Sequence, residues 1–167
     1  MPLTFQPPSI RHRALLGALA GLALAAAAHA DDDARSPAAP PLPRYQQECA
    51  ACHLAYPPGL LPAASWQRLM STLPRHFGTD ASLDAAAQSE IASWLNRYAG
   101  SASKLRRDPT PPPEDRISHA AWFVDEHREV PAPAWRLPAV KSASNCTACH
   151  TLAEQGDFSE RHIRLPR

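Results

Sequence analysis

From residue 44 to residue 130 the apolar side chains recur at intervals of three and four, in short stretches punctuated by proline and glycine. That period places side chains on one face of an α-helix. Arg44 to Tyr56 reads as a first helix, stopped by Pro57-Pro58-Gly59. A second runs from Ser65 to Phe77, with Ser65 as N-cap, Gly78 beyond its end, and Trp66, Leu69, Met70, Leu73 and Phe77 as its apolar stripe. Pro74 lies within it and should kink or divide it just before His76. Asp80 or Ser82 can cap a third helix reaching about Tyr98, with Leu83, Ala87, Ile91, Trp94 and Leu95 on its apolar side and Gly100 as its stop. A fourth, Glu114 to Val130, offers Ile117, Trp122, Phe123 and His127 to one side and ends before Pro131 and Pro133. After an extended stretch from Pro131 to Lys141, Ser142 or Ser144 can cap a last helix that Gly156 closes; residues 157–167 hold at most one turn. No pattern of strands alternating with helices is present, and the fold class predicted is all-α.

The ends and the breaks divide the chain. Arg11, His12 and Arg13, the small apolar run from Ala14 to Ala28, and Ala28-His29-Ala30 read as a secretory signal peptide over residues 1–30, cleaved to leave Asp31 first. Fifteen apolar residues fall short of the ~20 a membrane-spanning helix needs, so the segment predicts export to the periplasm rather than an anchor. Residues 31–43 are an acidic, then Pro- and Ala-rich, disordered lead-in. Residues 101–113, basic and then proline-rich, read as a linker between a half at 44–100 and a half at 114–167. Loss of 30 of the 167 residues leaves 137, with Arg11 and Arg13 gone and 15 basic residues against 16 acidic ones. Nothing in that balance points to nucleic acid. A chain of this length makes one domain with a modest core of side chains. Few glycines and many alanines fit helix.

The chemistry sits at two matching places. Cys49-Ala50-Ala51-Cys52-His53 and Cys146-Thr147-Ala148-Cys149-His150 both spell Cys-x-x-Cys-His. In an exported chain this is the attachment site of a c-type haem: two thiols bond the porphyrin covalently, and the next residue supplies an imidazole to the iron. A helical course would put the two cysteines of each motif on one face. Two copies predict two covalent haems and consume all four cysteines. A thioredoxin-like redox pair would follow a strand of a βαβ unit; paired zinc knuckles lie roughly 12 to 20 residues apart. Neither pattern matches.

Counting the remaining ligands narrows the chemistry further. The exported chain keeps six histidines, His53, His76, His119, His127, His150 and His162, and one methionine, Met70. With His53 and His150 as proximal ligands, at most one haem can be His/Met. For haem 1 the leading distal candidate is His76, on a helix able to fold back over the ring, ahead of Met70, which belongs to an apolar stripe. For haem 2 it is His127, at the end of an aromatic helix, ahead of His119 and His162.

The run from Cys49 through Leu54-Ala55-Tyr56-Pro57-Pro58-Gly59-Leu60-Leu61-Pro62, then Ser65-Trp66, Leu69-Met70, His76-Phe77-Gly78, Trp122-Phe123, Glu126-His127, Ser144-Asn145-Cys146 through His150, and Gly156-Asp157-Phe158, resembles the small periplasmic dihaem cytochromes c called DHC. The resemblance covers nearly all of residues 45–166. It implies a helical electron-transfer protein with two bis-histidine haems, whose members pass electrons to a monohaem, oxygen-binding cytochrome called SHP. His76 and His127 match the positions that would supply the distal ligands. The reading is therefore of an electron shuttle, not an enzyme, carrying electrons from a quinol-linked donor to a soluble acceptor, with the redox chemistry belonging to the cofactors. Two other readings stand beside it: a small dihaem peroxidase or gas-reacting haem enzyme with one open iron, and the electron-transfer subunit of a periplasmic reductase such as nitrate reductase.

Overall fold

Why the chain forms helices where it does is clearest in the pair that packs at its centre. In a computed structural model describing residues 39–166, α2 (Ala63–Ser71) lies against α3 (Ala85–Tyr98). Trp66, Met70 and Leu73 from one side meet Ile91 and Leu95 from the other, with Tyr45 and Leu61 completing a buried cluster. The stretch read above as a signal peptide and most of the expected lead-in, residues 1–38, lie outside the described residues, as does Arg167. The remaining helices are short, α1 (Pro43–Cys49), α4 (Ser103–Arg107) and α5 (Ala121–Glu126), and three-residue 3-10 turns fill much of the chain between and after them. Among the described residues there are no strands, only the isolated bridges His76 to Thr79 and His150 to Ile163.

Several boundaries differ from those read off the sequence. The first helix ends at Cys49, not Tyr56. Side chains claim the backbone beyond it: the Tyr56 carbonyl accepts from the Tyr45 hydroxyl at 2.8 Å, and the Leu54 carbonyl lies 2.7 Å from Nδ1 of the adjacent His53. Ser65 is not a cap but a fully buried residue inside α2. Pro74 does divide the second segment: α2 stops at Ser71, a 3-10 turn covers Leu73–Arg75, and His76 follows in extended backbone. Phe77, assigned to the apolar stripe, is 45% exposed. Asp80 and Ser82 bond to each other, and the cap of α3 is Asp84, whose carboxylate accepts the Ala87 amide at 2.9 Å.

The second half departs furthest from the helical pattern. In place of a helix over 114–130 it has 3-10 turns at Pro113–Asp115 and Ile117–His119 before α5 begins. Glu114 and Asp115 hold φ at 56° and 55°, a left-handed pair that no helix can pass through. A 3-10 turn at Ala134–Arg136 interrupts the stretch expected to be extended, and α4 falls inside the stretch expected to be a plain linker, with Leu105 buried. The last haem helix, with its Ser142 or Ser144 cap, is absent: Cys146–Ala148 forms a 3-10 turn, and a second at Ala153–Gln155 ends on Gly156 at φ 74°. Buried apolar side chains in residues 114–166 are Ala120, Phe123, Val140 and Ala153. So little apolar surface does not hold a 50-residue segment together by itself.

Candidate haem-binding sites

Each Cys-x-x-Cys-His motif opens onto its own cavity. The first, about 1280 Å³, is lined by Cys49, Cys52, His53, Met70 and His76 and reaches across to Ser144 and Cys146. It exceeds the roughly 300–1,000 Å³ of an ordinary small-molecule site. The second is a narrower cleft of about 170 Å³ walled by Trp122, His127, Trp135, Cys149 and His150, with Cys146 shared between the two. Burial pushes the Cys49 and Cys146 thiols up to about 11 and also raises Cys149. Thiols shifted that way are poor nucleophiles and poor redox centres at neutral pH.

The histidines fall into two pairs. His53 and His76 have ring centroids 6.1 Å apart, and so do His127 and His150. A metal–imidazole bond of about 2 Å, with the nitrogen about 1 Å from the ring centre, sets two imidazoles on opposite sides of one metal about 6 Å apart. The planes differ: 25° between the rings in the first pair, 74° in the second.

Hydrogen bonding fits the same role. Nδ1 of His53 is 2.7 Å from the Leu54 carbonyl, and Nδ1 of His127 is 2.8 Å from the Phe123 carbonyl. A ring that donates through Nδ1 turns the Nε2 lone pair outward, the tautomer a metal needs. His76 and His150 keep Nδ1 buried without a protein partner, as does Nε1 of Trp122. All three orphans line the two cavities, and buried polar atoms left unpaired signal a missing partner. Burial, with the neighbouring His53 adding to it, depresses the pKa of His76; burial, with His127 second, depresses that of His150. Both shifts favour the neutral ring, the form able to ligate a metal.

The other candidates sit elsewhere. Met70 is buried in the α2–α3 core, in the wall of the first cavity. His119 is exposed, and His162 is tied to Asp157 at 3.0 Å and Ser159 at 3.2 Å.

Aromatic rings brace the paired histidines. Tyr56 stacks on His53 at 5.1 Å, Phe77 meets His76 edge-on at 4.8 Å, Phe123 stacks on His127 at 4.0 Å with Trp135 at 5.8 Å, and Phe158 meets His150 at 5.5 Å. Sequence reasoning missed Trp135, Phe158 and Tyr56 as site residues. For Tyr56 and Trp135 the one local signal was a large aromatic beside prolines; Phe158 carried none.

The model of the family DHC, dihaem cytochrome c, matches residues 45–158. The chain belongs to the dihaem cytochrome c family. Solved structures agree. DHC from Rhodobacter sphaeroides is 45% identical over 70% of this chain and 96% of its own, with a TM-score of 0.60. A second dihaem cytochrome c structure from that organism is 46% identical with the same coverage and a TM-score of 0.62. The dihaem cytochrome c of Shewanella baltica OS155 is 36% identical over 74% of this chain and 91% of its own, with a TM-score of 0.63. Among curated proteins none matches.

As a dihaem cytochrome c the chain carries two covalently attached c-type haems, and its four cysteines in two Cys-x-x-Cys pairs match that number. Each haem supplies one-electron chemistry at its iron, and the family is one of electron transfer. The two Cys-x-x-Cys pairs would hold the haems, the Leu54 and Phe123 carbonyls orient the imidazoles of His53 and His127, and aromatic rings pack beside the paired histidines.

Proposed function

We propose that this protein is an electron shuttle whose two haem irons are both closed by histidine: His53 with His76 in the first half, His150 with His127 in the second. The observation that carries the reading is the recurrence of one separation, 6.1 Å, in two imidazole pairs built from unrelated local structure. An iron with two strong axial ligands offers no coordination position to a substrate. It exchanges electrons, and imidazole in place of methionine keeps its potential low.

Donor and acceptor follow from chemistry and from the family resemblance. The acceptor is a soluble monohaem cytochrome of the SHP kind, and the donor a quinol-linked membrane cytochrome. The signal-like sequence of residues 1–30 supports a periplasmic site for the exchange. No described helix is long and apolar enough to cross a membrane, which fits a carrier that meets the membrane only through partners.

The test is a ligand scan on the haem-loaded protein, read by visible and electron paramagnetic resonance spectra. His76→Ala and His127→Ala should each convert one haem to high spin. Met70→Leu, His119→Ala and His162→Ala should leave both low spin. Ready carbon monoxide binding by the reduced unmodified protein, or turnover of peroxide, would overturn the shuttle in favour of an enzyme with one open iron. Co-purification with a large catalytic subunit would make it instead a reductase subunit.

A further inference from the structure

Tyr56 links the two haem-attachment segments, through a ring contact on one side and a hydrogen bond on the other. Its ring stacks on His53 at 5.1 Å and 23°. Its hydroxyl donates to the Ser144 carbonyl at 2.6 Å, across 88 residues of sequence and two positions before Cys146. Its own carbonyl is held by the buried Tyr45 hydroxyl at 2.8 Å, so the residue is fixed from the core side as well. It lines the large cavity together with Cys49, Cys52, His53 and Cys146. Neither contact is required to bind a haem: the motifs supply thiols and imidazole without it.

We propose that Tyr56 is a positioning residue that couples the two haem sites, fixing the second attachment loop against the axial histidine of the first. This rests on the reading that both sites hold bis-histidine haems. The second half has little side-chain core to hold its loop in place, so a fixed contact at Ser144 determines where Cys146 and its haem lie relative to His53. Exchange between the two haems, one oxidised as the other is reduced, depends on that spacing and needs no further reactant.

The experiment compares Tyr56→Phe, Tyr56→Leu and a control, Trp94→Phe, in the haem-loaded protein. The control removes a hydrogen bond to the Pro40 carbonyl at 3.0 Å; Trp94 lines neither cavity, and phenylalanine there keeps an aromatic ring against Tyr45. Haem content and low-spin spectra come first; if the unmodified protein lacks two low-spin haems, the functional reading has failed, separately from this one. With that established, Tyr56→Phe keeps the stack and loses only the bridge. Hydrogen-exchange protection of the amides around Cys146 should fall about tenfold, the size of one net hydrogen bond. The midpoint potential of the second haem should move while that of the first stays, and the rate of electron exchange between haems should drop. Tyr56→Leu should move both potentials. Trp94→Phe should lower the melting temperature with the potentials and exchange rate unmoved. The proposal is overturned if Tyr56→Phe leaves both potentials and the exchange rate at their unmodified values, whatever it does to the melting temperature.

Discussion

Phe77 sits at φ 49° between His76 and Gly78, itself at φ 93°, and the His76 carbonyl accepts the Thr79 amide at 3.0 Å. Two successive left-handed residues closed by that bond form a tight hairpin-like turn in which glycine or asparagine is the usual first residue. A bulky side chain there costs about 1–2 kcal/mol. Two contacts offset it. The Arg116 guanidinium lies 4.2 Å from the Phe77 ring centre, worth about 0.5–1 kcal/mol at a partly exposed ring, and the edge-on contact with His76 adds a similar amount. With the terms nearly cancelling, retention of the aromatic has a reason beyond stability: it buttresses the imidazole. Phe77→Asn, which suits the turn and lacks the ring, should therefore shift the melting temperature by no more than about 5 °C. It should change the low-spin resonance signature of one haem and leave the other as it was. An unaltered signature would show that the turn alone orients His76.

At the scale of elements, α3 shows what local sequence can specify. Its 14 residues follow one period, and Ala87, Ile91 and Leu95 from that period are buried to 1% exposure or less. The helix was legible; its first residue was not, because Asp80, Ser82 and Asp84 are all competent caps and only the third accepts an N3 amide. Asp84→Ala should lower stability by about 1 kcal/mol, a melting shift of about 3–6 °C, with haem spectra unchanged, since α3 meets the first cavity through Leu95, about three turns from the cap; a loss of haem would show that the cap itself supports that cavity. The expected helix over 114–130 failed for a reason no local pattern carries. Asp115 is drawn aside by Arg68 of α2, which donates to its two oxygens at 2.6 and 2.8 Å from 47 residues away. The second motif failed to form a helix in the same way: the Thr151 amide, which a helix would give to Thr147, donates to the His162 carbonyl at 3.1 Å, and the Arg164 amide to the Cys149 carbonyl at 2.8 Å. Both motifs and all the paired histidines were visible as residue types at particular spacings. Their partners Tyr56, Trp135 and Phe158 were not, since those contacts are made by loops.

At the scale of the whole molecule, Tyr56 to Ser144 and Arg68 to Asp115 tie the two halves directly, and the linker joins the second half through Lys104 to Glu126 at 3.1 Å. The C-terminal tail is pinned beneath the second motif by Asp157, which accepts from the Ser159 amide at 2.9 Å and pairs with His162. Two of these carboxylates are held below their ordinary range. The hydrogen bond from Arg68 lowers Asp115, and hydrogen bonds from Ser159, then His162, take Asp157 to about 2. A group with a depressed folded-state pKa favours the folded chain when ionised. Its contribution is complete above the unfolded carboxylate value, near 3.8 for aspartate, and disappears as pH falls through the lower folded value. Stability of the haem-loaded protein should thus hold as pH drops from 6 toward about 4 as far as these two groups are concerned, then decline between about 4 and 2. Thermal melts followed at the haem absorbance across that range measure it. Asp115→Asn removes the titrating group that joins the halves and Asp157→Asn the one that anchors the tail, so each variant should start less stable at pH 6 and fall less steeply below pH 4. The second should do so with the larger change at the His127–His150 haem, because the His162 carbonyl that Asp157 helps to place holds the backbone next to His150. If both variants retain the full slope of the unmodified protein, the acid sensitivity lies in other carboxylates, and neither contact holds the second half in place.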